Sequence, residues 1–313
     1  MKRLFSLITL TLQITIALAQ QDPQYSLNMF NHLSTNPGYA GSNDAICITN
    51  IDRLQWLGFE GAPRTYVLNA DMTLSKLNSG VGLSILSDKI GNENDFQLQG
   101  SYAYRVPIGK GKLGIGLSVG MLNKYINGNW ISPITLNDPN QNVYNDPSIP
   151  HSVNHLSFDM SFGLFYRTNN LYLGLSSTHL NEAKNKVSAD ILPSIKRHYY
   201  FAAGYYYQLP NPLYEIRPSV FIKSDIAVFQ YDVNATLIYN KRVWGGVSYR
   251  YGDAFVAMAG FYLNNSFKFA VAYDITTSKL RKYSSGSVEL MLGYCAIVSK
   301  GKSKQRNKSV RFL

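Results

Sequence analysis

From Leu113 to Met121 the chain reads LGIGLSVGM, an unbroken alternation with Leu113, Ile115, Leu117, Val119 and Met121 on one side and Gly114, Gly116, Ser118 and Gly120 on the other. Period two is the repeat of a pleated strand, so this segment has one apolar face and one face of small or polar residues. LSFDMSFGLFYR does the same, with Leu156, Phe158, Met160, Phe162, Leu164 and Tyr166 set against Ser157, Asp159, Ser161, Gly163 and Arg167. The rhythm recurs over Ala45–Ile51, Arg64–Leu74, Gly80–Lys89, Asp95–Ile108, Lys112–Ile126, Leu156–Thr168 and Leu171–Leu180. It continues over His198–Leu209, Tyr214–Lys223, Phe229–Tyr239, Arg242–Gly252, Ala254–Leu263, Phe267–Thr277 and Ser287–Ile297, fourteen segments in all.

Strands of this length with an apolar outer face need hydrocarbon on that side. In a bilayer no sheet edge can stay unpaired, so the strands must close on themselves. The expectation is an all-β, closed, antiparallel outer-membrane β-barrel of about fourteen strands. A soluble sandwich or propeller also supplies many strands, but not an apolar outward face on nearly every one. The connections sort consistently. Ser75–Ser79, Gly109–Gly111, Asn169–Asn170, Pro210–Leu213, Asn240–Lys241 and Asn264–Ser266 are short turns of Gly, Asn, Pro and Ser that fall on one side. The two longest connections, Asn127–His155 and Asn181–Arg197, fall on the other, the usual asymmetry between periplasmic turns and external loops.

The first residues are set apart from this pattern. Lys2 and Arg3, the apolar run Leu4–Leu18 and Ala17-Leu18-Ala19 read as a secretory signal over residues 1–19. No Cys follows the cleavage point, which argues against a lipid anchor. Residues 20–44 form an N-terminal segment, 45–298 the barrel and 299–313 a basic tail. A net charge of +11 raises the question of nucleic acid, but export and the absence of a basic helix argue against it. The tail is read as solvated, with acidic lipid or a periplasmic partner as its alternative contact.

Parity places Asp71, Arg105, Asp159, Arg167, Arg217, Lys223, Asp232, Arg250, Lys268, Asp274 and Glu289 on the lumen face. With both signs present they either pair into a network that fills the barrel or line a path for a solute. Phe165, Phe201, Tyr205, Tyr207, Phe221 and Trp244, also assigned inward, favour filling. Cys47 and Cys295 both face inward on strands that become neighbours at closure; a disulfide is permitted. Two free thiols are the favoured outcome, because directly paired strands strain the bond. His151 and His155 have a metal-like spacing, but Pro147 and Pro150 preclude the helix such a pair needs. His179 and His198 flank a long loop without a visible partner and are read as ordinary loop residues. No catalytic motif and no cofactor site is found, so an enzyme is not expected.

NMFNHLSTNPGYAGSND (Asn28–Asp44) is too broken for a helix and too aromatic for a linker. Tyr25, Met29, Phe30 and Tyr39 are expected to fold back against the inner wall as a plug. The pieces Gln21-Asp22-Pro23-Gln24, Met29-Phe30-Asn31, Asn36-Pro37-Gly38-Tyr39-Ala40-Gly41, Arg53 with Gln55-Trp56, and Gly58-Phe59-Glu60-Gly61-Ala62-Pro63-Arg64-Thr65 resemble the N-terminal signature of the PorP/SprF family of Bacteroidota outer-membrane proteins. Tyr273-Asp274-Ile275-Thr276-Thr277-Ser278, Tyr283–Ser287 and Glu289–Tyr294 resemble that family's closing pattern. His32, Gly38 and Val288 depart from it, and no role is carried to them. The resemblance implies a component of the type IX secretion and gliding apparatus. Such a barrel would hold a secreted adhesin or other surface protein by the adhesin's C-terminal sorting domain and associate with other secretion components. The rim residues Gln55, Trp56, Phe59 and Arg64 are the candidate contact. A porin or small-solute transporter is the competing reading.

Overall fold

The structure, a computed structural model, describes residues 22–128, 152–182, 195–263 and 266–297. The proposed signal, the basic tail, His151 and most of both long connections lie outside them. The strands are β1 (Ala45–Leu54), β2 (Arg64–Leu74), β3 (Ser79–Ile90), β4 (Glu93–Ile108), β5 (Gly111–Ile126), β6 (Val153–Arg167), β7 (Leu171–Thr178) and β8 (His198–Tyr205). They continue with β9 (Tyr207–Gln208), β10 (Tyr214–Ser224), β11 (Phe229–Tyr239), β12 (Val243–Arg250), β13 (Ala254–Leu263), β14 (Phe267–Thr276) and β15 (Ser287–Ile297). β9 carries β8 past Tyr206 in the same register against β10, so fourteen staves result. Every neighbouring pair is antiparallel, and β1 pairs with β15 from Ala45↔Ile297 to Leu54↔Val288, which closes the sheet into a barrel.

The outer face is what the alternation demands. Val247 is 64 % exposed, Phe158 57 % and Leu117 54 %, and similar side chains ring the barrel. Aromatic pairs mark the two rims, with Tyr231 stacked on Tyr251 at 4.8 Å at one end and Phe267 against Tyr294 at 4.8 Å at the other. These are the girdles that sit at the headgroup level of a bilayer. No helix among the described residues is long and apolar enough to cross a membrane, and crossing is by strands.

Alternation failed locally in HYYFAAGYYYQ. His198, Tyr200, Ala202 and Gly204 face inward, while Tyr199 and Tyr205 are 39 % and 44 % exposed and Tyr207 52 %. Phe201, Tyr205 and Tyr207 therefore point away from the lumen, and Tyr206 points into it. Both faces of this strand are aromatic, so residue type carries no parity information. Two small residues inward make room for the Tyr172 ring, which a side chain at Gly204 would meet at 2.3 Å.

The cysteines are also corrected: Cys47 and Cys295 are joined by a disulfide. They are direct partners across the β1–β15 seam, with a Cα–Cα distance of 4.1 Å. The Cys295 amide donates to Ser266 on the opposite side, so this is a non-hydrogen-bonded pair, the kind in which facing side chains approach most closely. The bond closes almost the whole barrel into a covalent ring.

Two measurements follow. The alkylated protein should change gel mobility with and without reductant, and Cys295→Ser should lower unfolding stability by about 2–4 kcal/mol. Leu117→Arg, on the lipid face near mid-strand, should cost about 2–4 kcal/mol in denaturant unfolding from liposomes.

Candidate functional site

Residues 22–44 run through the inside of the barrel, from the end that carries the long connections to the end that carries the short turns. At the short-turn end the fit is made by glycine. β5 turns Gly114 and Gly116 inward, and a Cβ there would lie 2.1 Å from the Gly38 carbonyl oxygen and 2.3 Å from the Gly38 nitrogen. On β3 a Cβ at Gly80 would lie 2.2 Å from the Ala40 carbonyl oxygen. On β6 Gly163 leaves room for the Asn36 amide, which donates to the carbonyls of Leu164 (3.0 Å) and Leu175 (3.3 Å). The small inward residues of LGIGLSVGM are thus a slot for NPGYAG. The Asn36 carboxamide oxygen accepts from the Gly38 amide at 2.9 Å and caps a single turn over Pro37–Tyr39.

Tyr39 packs edge-on against Phe165 (5.1 Å), beside buried His32 and Tyr172. Phe30 lies 5.4 Å from Trp244, and Met29 and Tyr25 join the cluster around Met291 and Val256. Below them the Gly41 amide donates to Asp71 at 2.9 Å and Thr73 donates to the Gly41 carbonyl at 2.7 Å. Arg167 reaches Asn43 at 2.6 Å, and Arg105 stands 3.8 Å from Asp44.

The upper half is held by charge. Arg53 pairs with Asp274 (2.7 Å) and Glu289 (3.0 Å); Arg250 pairs with Asp274 (2.9 Å) and Asp232 (3.3 Å). Into this group the N-terminal segment inserts Ser26. Its hydroxyl donates to Asp274 (2.6 Å) and accepts from Arg53 (2.9 Å) and Arg250 (3.0 Å). The amides of Ser26 and Leu27 donate to the two oxygens of Glu289 at 2.7 and 2.9 Å. Asn28 and Gln24 donate to Asp232 at 3.3 and 3.2 Å. Arg250 and Glu289 are 0 % exposed, so these interactions replace all their water.

The lumen charges therefore form separate groups. Asp232, Arg250, Asp274 and Glu289 share one network, to which the structure adds Arg53, two residues beyond the stretch assigned to the first strand. Asp71, Arg105 and Arg167 surround the lower end of the segment, Arg217 pairs with Glu215 and lies 4.6 Å over the Tyr206 ring, and Asp159 belongs elsewhere. Lys223 donates to the Asp22 carbonyl at 2.8 Å.

Asp159 accepts from His179 Nδ1 at 3.0 Å, and His179 Nε2 lies 3.0 Å from Asp22. His198 is 3.7 Å from the same carboxylate. Burial disfavours a charged imidazole at His179, just beyond β7, but the two carboxylates outweigh it and raise its pKa to about 10. These histidines are not plain loop residues. Their partners lie 157 and 20 positions away, a distance at which spacing carries no signal.

Two cavities remain, one on each side of the segment. The one at the short-turn end holds about 480 Å³, and the other, open toward the long connections, about 530 Å³. Gln55 and Trp56 line the second, while Phe59 is 47 % exposed and Arg64 lies on the outer rim. The rim stretch is ordered by backbone bonds from Leu57 to Gly286 (2.7 Å), from Ser285 to Leu57 (2.8 Å) and from Gly91 to Gly61 (2.8 Å).

Fold and site together define an outer-membrane β-barrel whose lumen is crossed by its own N-terminal segment. The chain matches, over residues 17–294, the model of the type IX secretion system membrane protein family PorP/SprF, and it belongs to that family. Comparison with curated protein sequences finds no match. Among solved structures it is similar to the CymD monoaromatic hydrocarbon channel, at 12 % identity and a TM-score of 0.51, over 85 % of this chain and 92 % of that one. It is also similar to Omp33 of Acinetobacter baumannii, at 9 % identity and a TM-score of 0.44 over 80 % and 97 % of the two chains. The toluene transporter TbuX of Ralstonia pickettii shares 10 % identity, with a TM-score of 0.48 over 85 % and 92 %. At these identities the likeness concerns the barrel alone.

The charged network predicts a definite response. Arg53→Ala leaves Glu289 and Asp274 short of a buried cation and should cost about 3–5 kcal/mol, with residues 22–28 becoming open to protease. Arg53→Lys should restore little, since a single ammonium does not reproduce the fork that spans both carboxylates.

Proposed function

We propose that this chain is a plugged docking barrel of the type IX apparatus. It retains a secreted adhesin or other surface protein at the outer membrane by binding that protein's C-terminal sorting domain. The observation that carries this reading is the filled lumen. Residues 22–44 are tied to the wall by buried ion pairs above and by backbone contact with glycine below, so no continuous aqueous path is needed for the fold. A filled barrel offers its partner a rigid rim, and the stretch Gln55–Arg64 brings to that rim an exposed aromatic ring, Phe59, and an exposed cation, Arg64.

Other type IX components are the natural partners on the periplasmic side, where the short turns and the basic tail would face them. Family membership supports that association.

Planar-bilayer recording on the purified protein should show no steady conductance. A large, stable channel would make solute transport the main activity. In cells, Phe59→Ala combined with Arg64→Ala should reduce co-purification and surface retention of the cognate secreted protein at least several-fold, at unchanged barrel abundance. Undiminished retention would remove the rim stretch from the binding surface.

A further inference from the structure

His179 and His198 meet Asp22 at the outer end of the lumen, where all three line the cavity open to the long connections. The ligating atoms of the three residues lie within 4.8 Å of one another. Each ring is steered by its Nδ1. His179 Nδ1 is bonded to Asp159, whose other oxygen accepts from Gln97 (2.9 Å) and Gln99 (2.7 Å); His198 Nδ1 is 3.1 Å from the Lys196 carbonyl, and its Nε2 accepts from the Asp22 backbone amide at 3.2 Å, a bond that an ion at that nitrogen would replace. An imidazole fixed through one nitrogen by a carboxylate or a backbone carbonyl, with the other nitrogen turned inward, is the outer-shell arrangement of metal-ligating histidine. Asp22 is prepared in the same way. Its Oδ2 accepts from Tyr200 and from Thr178, at 3.3 Å in the latter case, which leaves Oδ1 facing His179 Nε2.

We propose that Asp22, His179 and His198 form a binding site for one first-row divalent cation of the zinc class, with the fourth position open to the outer cavity. Two imidazoles and one carboxylate suit zinc in ligand type and number, and the cavity supplies the entry path. Both rings are buried, at 5 % and 2 % exposure, so the ion would be shielded on the wall side. Lys223, which lines the same cavity, donates to the Asp22 backbone carbonyl. The ion would tie the start of the lumenal segment to the β7–β8 pair. That region lacks the ion network's arginines, which hold Ser26 on the opposite wall.

The test uses the full mature barrel in detergent, stripped with chelator and dialysed, with zinc chloride as the probe. One zinc per chain by elemental analysis and a thermal midpoint raised by several degrees are expected. His179→Asn and His198→Asn should each abolish stoichiometric binding, and Asp159→Asn should weaken it about 10–100-fold. His155→Ala should leave it unchanged, since His155 stands on β6 opposite Lys124 and belongs to the other histidine spacing in the sequence. Heat-modifiable gel migration checks that each variant is folded, and the visible spectrum of the cobalt-loaded wild type reports tetrahedral nitrogen and oxygen ligation independently of the variants. A wild type that takes up no stoichiometric zinc, or stoichiometric uptake that survives either histidine substitution in a folded variant, overturns the proposal.

Discussion

Arg53 and Glu289 face each other across the seam where β1 meets β15, and the two halves of that ion pair come from opposite ends of the chain. Taking such groups out of water costs several kcal/mol per ion and is recovered only when every remaining donor and acceptor is engaged. Two arginines and three carboxylates cannot meet that condition alone, because the acids hold more acceptor sites than the guanidinium groups can fill. Ser26 and Leu27 supply the missing donors from the lumenal segment. The ion pairs at the seam and the inserted segment therefore stabilise one another.

The lower half solves a different problem by a different means. There the segment's backbone lies directly on the wall, and the contact is possible because β3, β5 and β6 turn glycine inward at Gly80, Gly114, Gly116 and Gly163. Any side chain at these positions would occupy space already held by a carbonyl or an amide. Polar anchoring above and steric fit below leave a cavity at each end of the segment, and the two have no lining residue in common.

Much of this was legible in sequence because period-two patterning is a local property, and a lipid-facing barrel imposes it on every strand. Asp232, Arg250, Asp274 and Glu289 could be put on the lumen face from parity alone. Arg53 was not, since the apolar signal of its strand fades before Leu54 while the pairing to β2 and β15 continues. The stretch HYYFAAGYYYQ gave no parity at all, because rings on both faces erase the contrast that alternation depends on. For the cysteines, sequence placed both at the seam. Their covalent state turned on whether they occupy a close, non-hydrogen-bonded pair, which is a matter of register.

The sequence by itself determined the class of fold, the number of staves, the side that meets lipid and the end that carries the long loops. These follow from repeats a few residues long and from connection lengths. Only the tertiary structure decided what the lumen contains, how its charges are grouped, and that Asp22, Asp159, His179 and His198 converge. Those contacts join residues up to 263 positions apart, and they exist only once closure has brought distant strands and the threaded segment to one place.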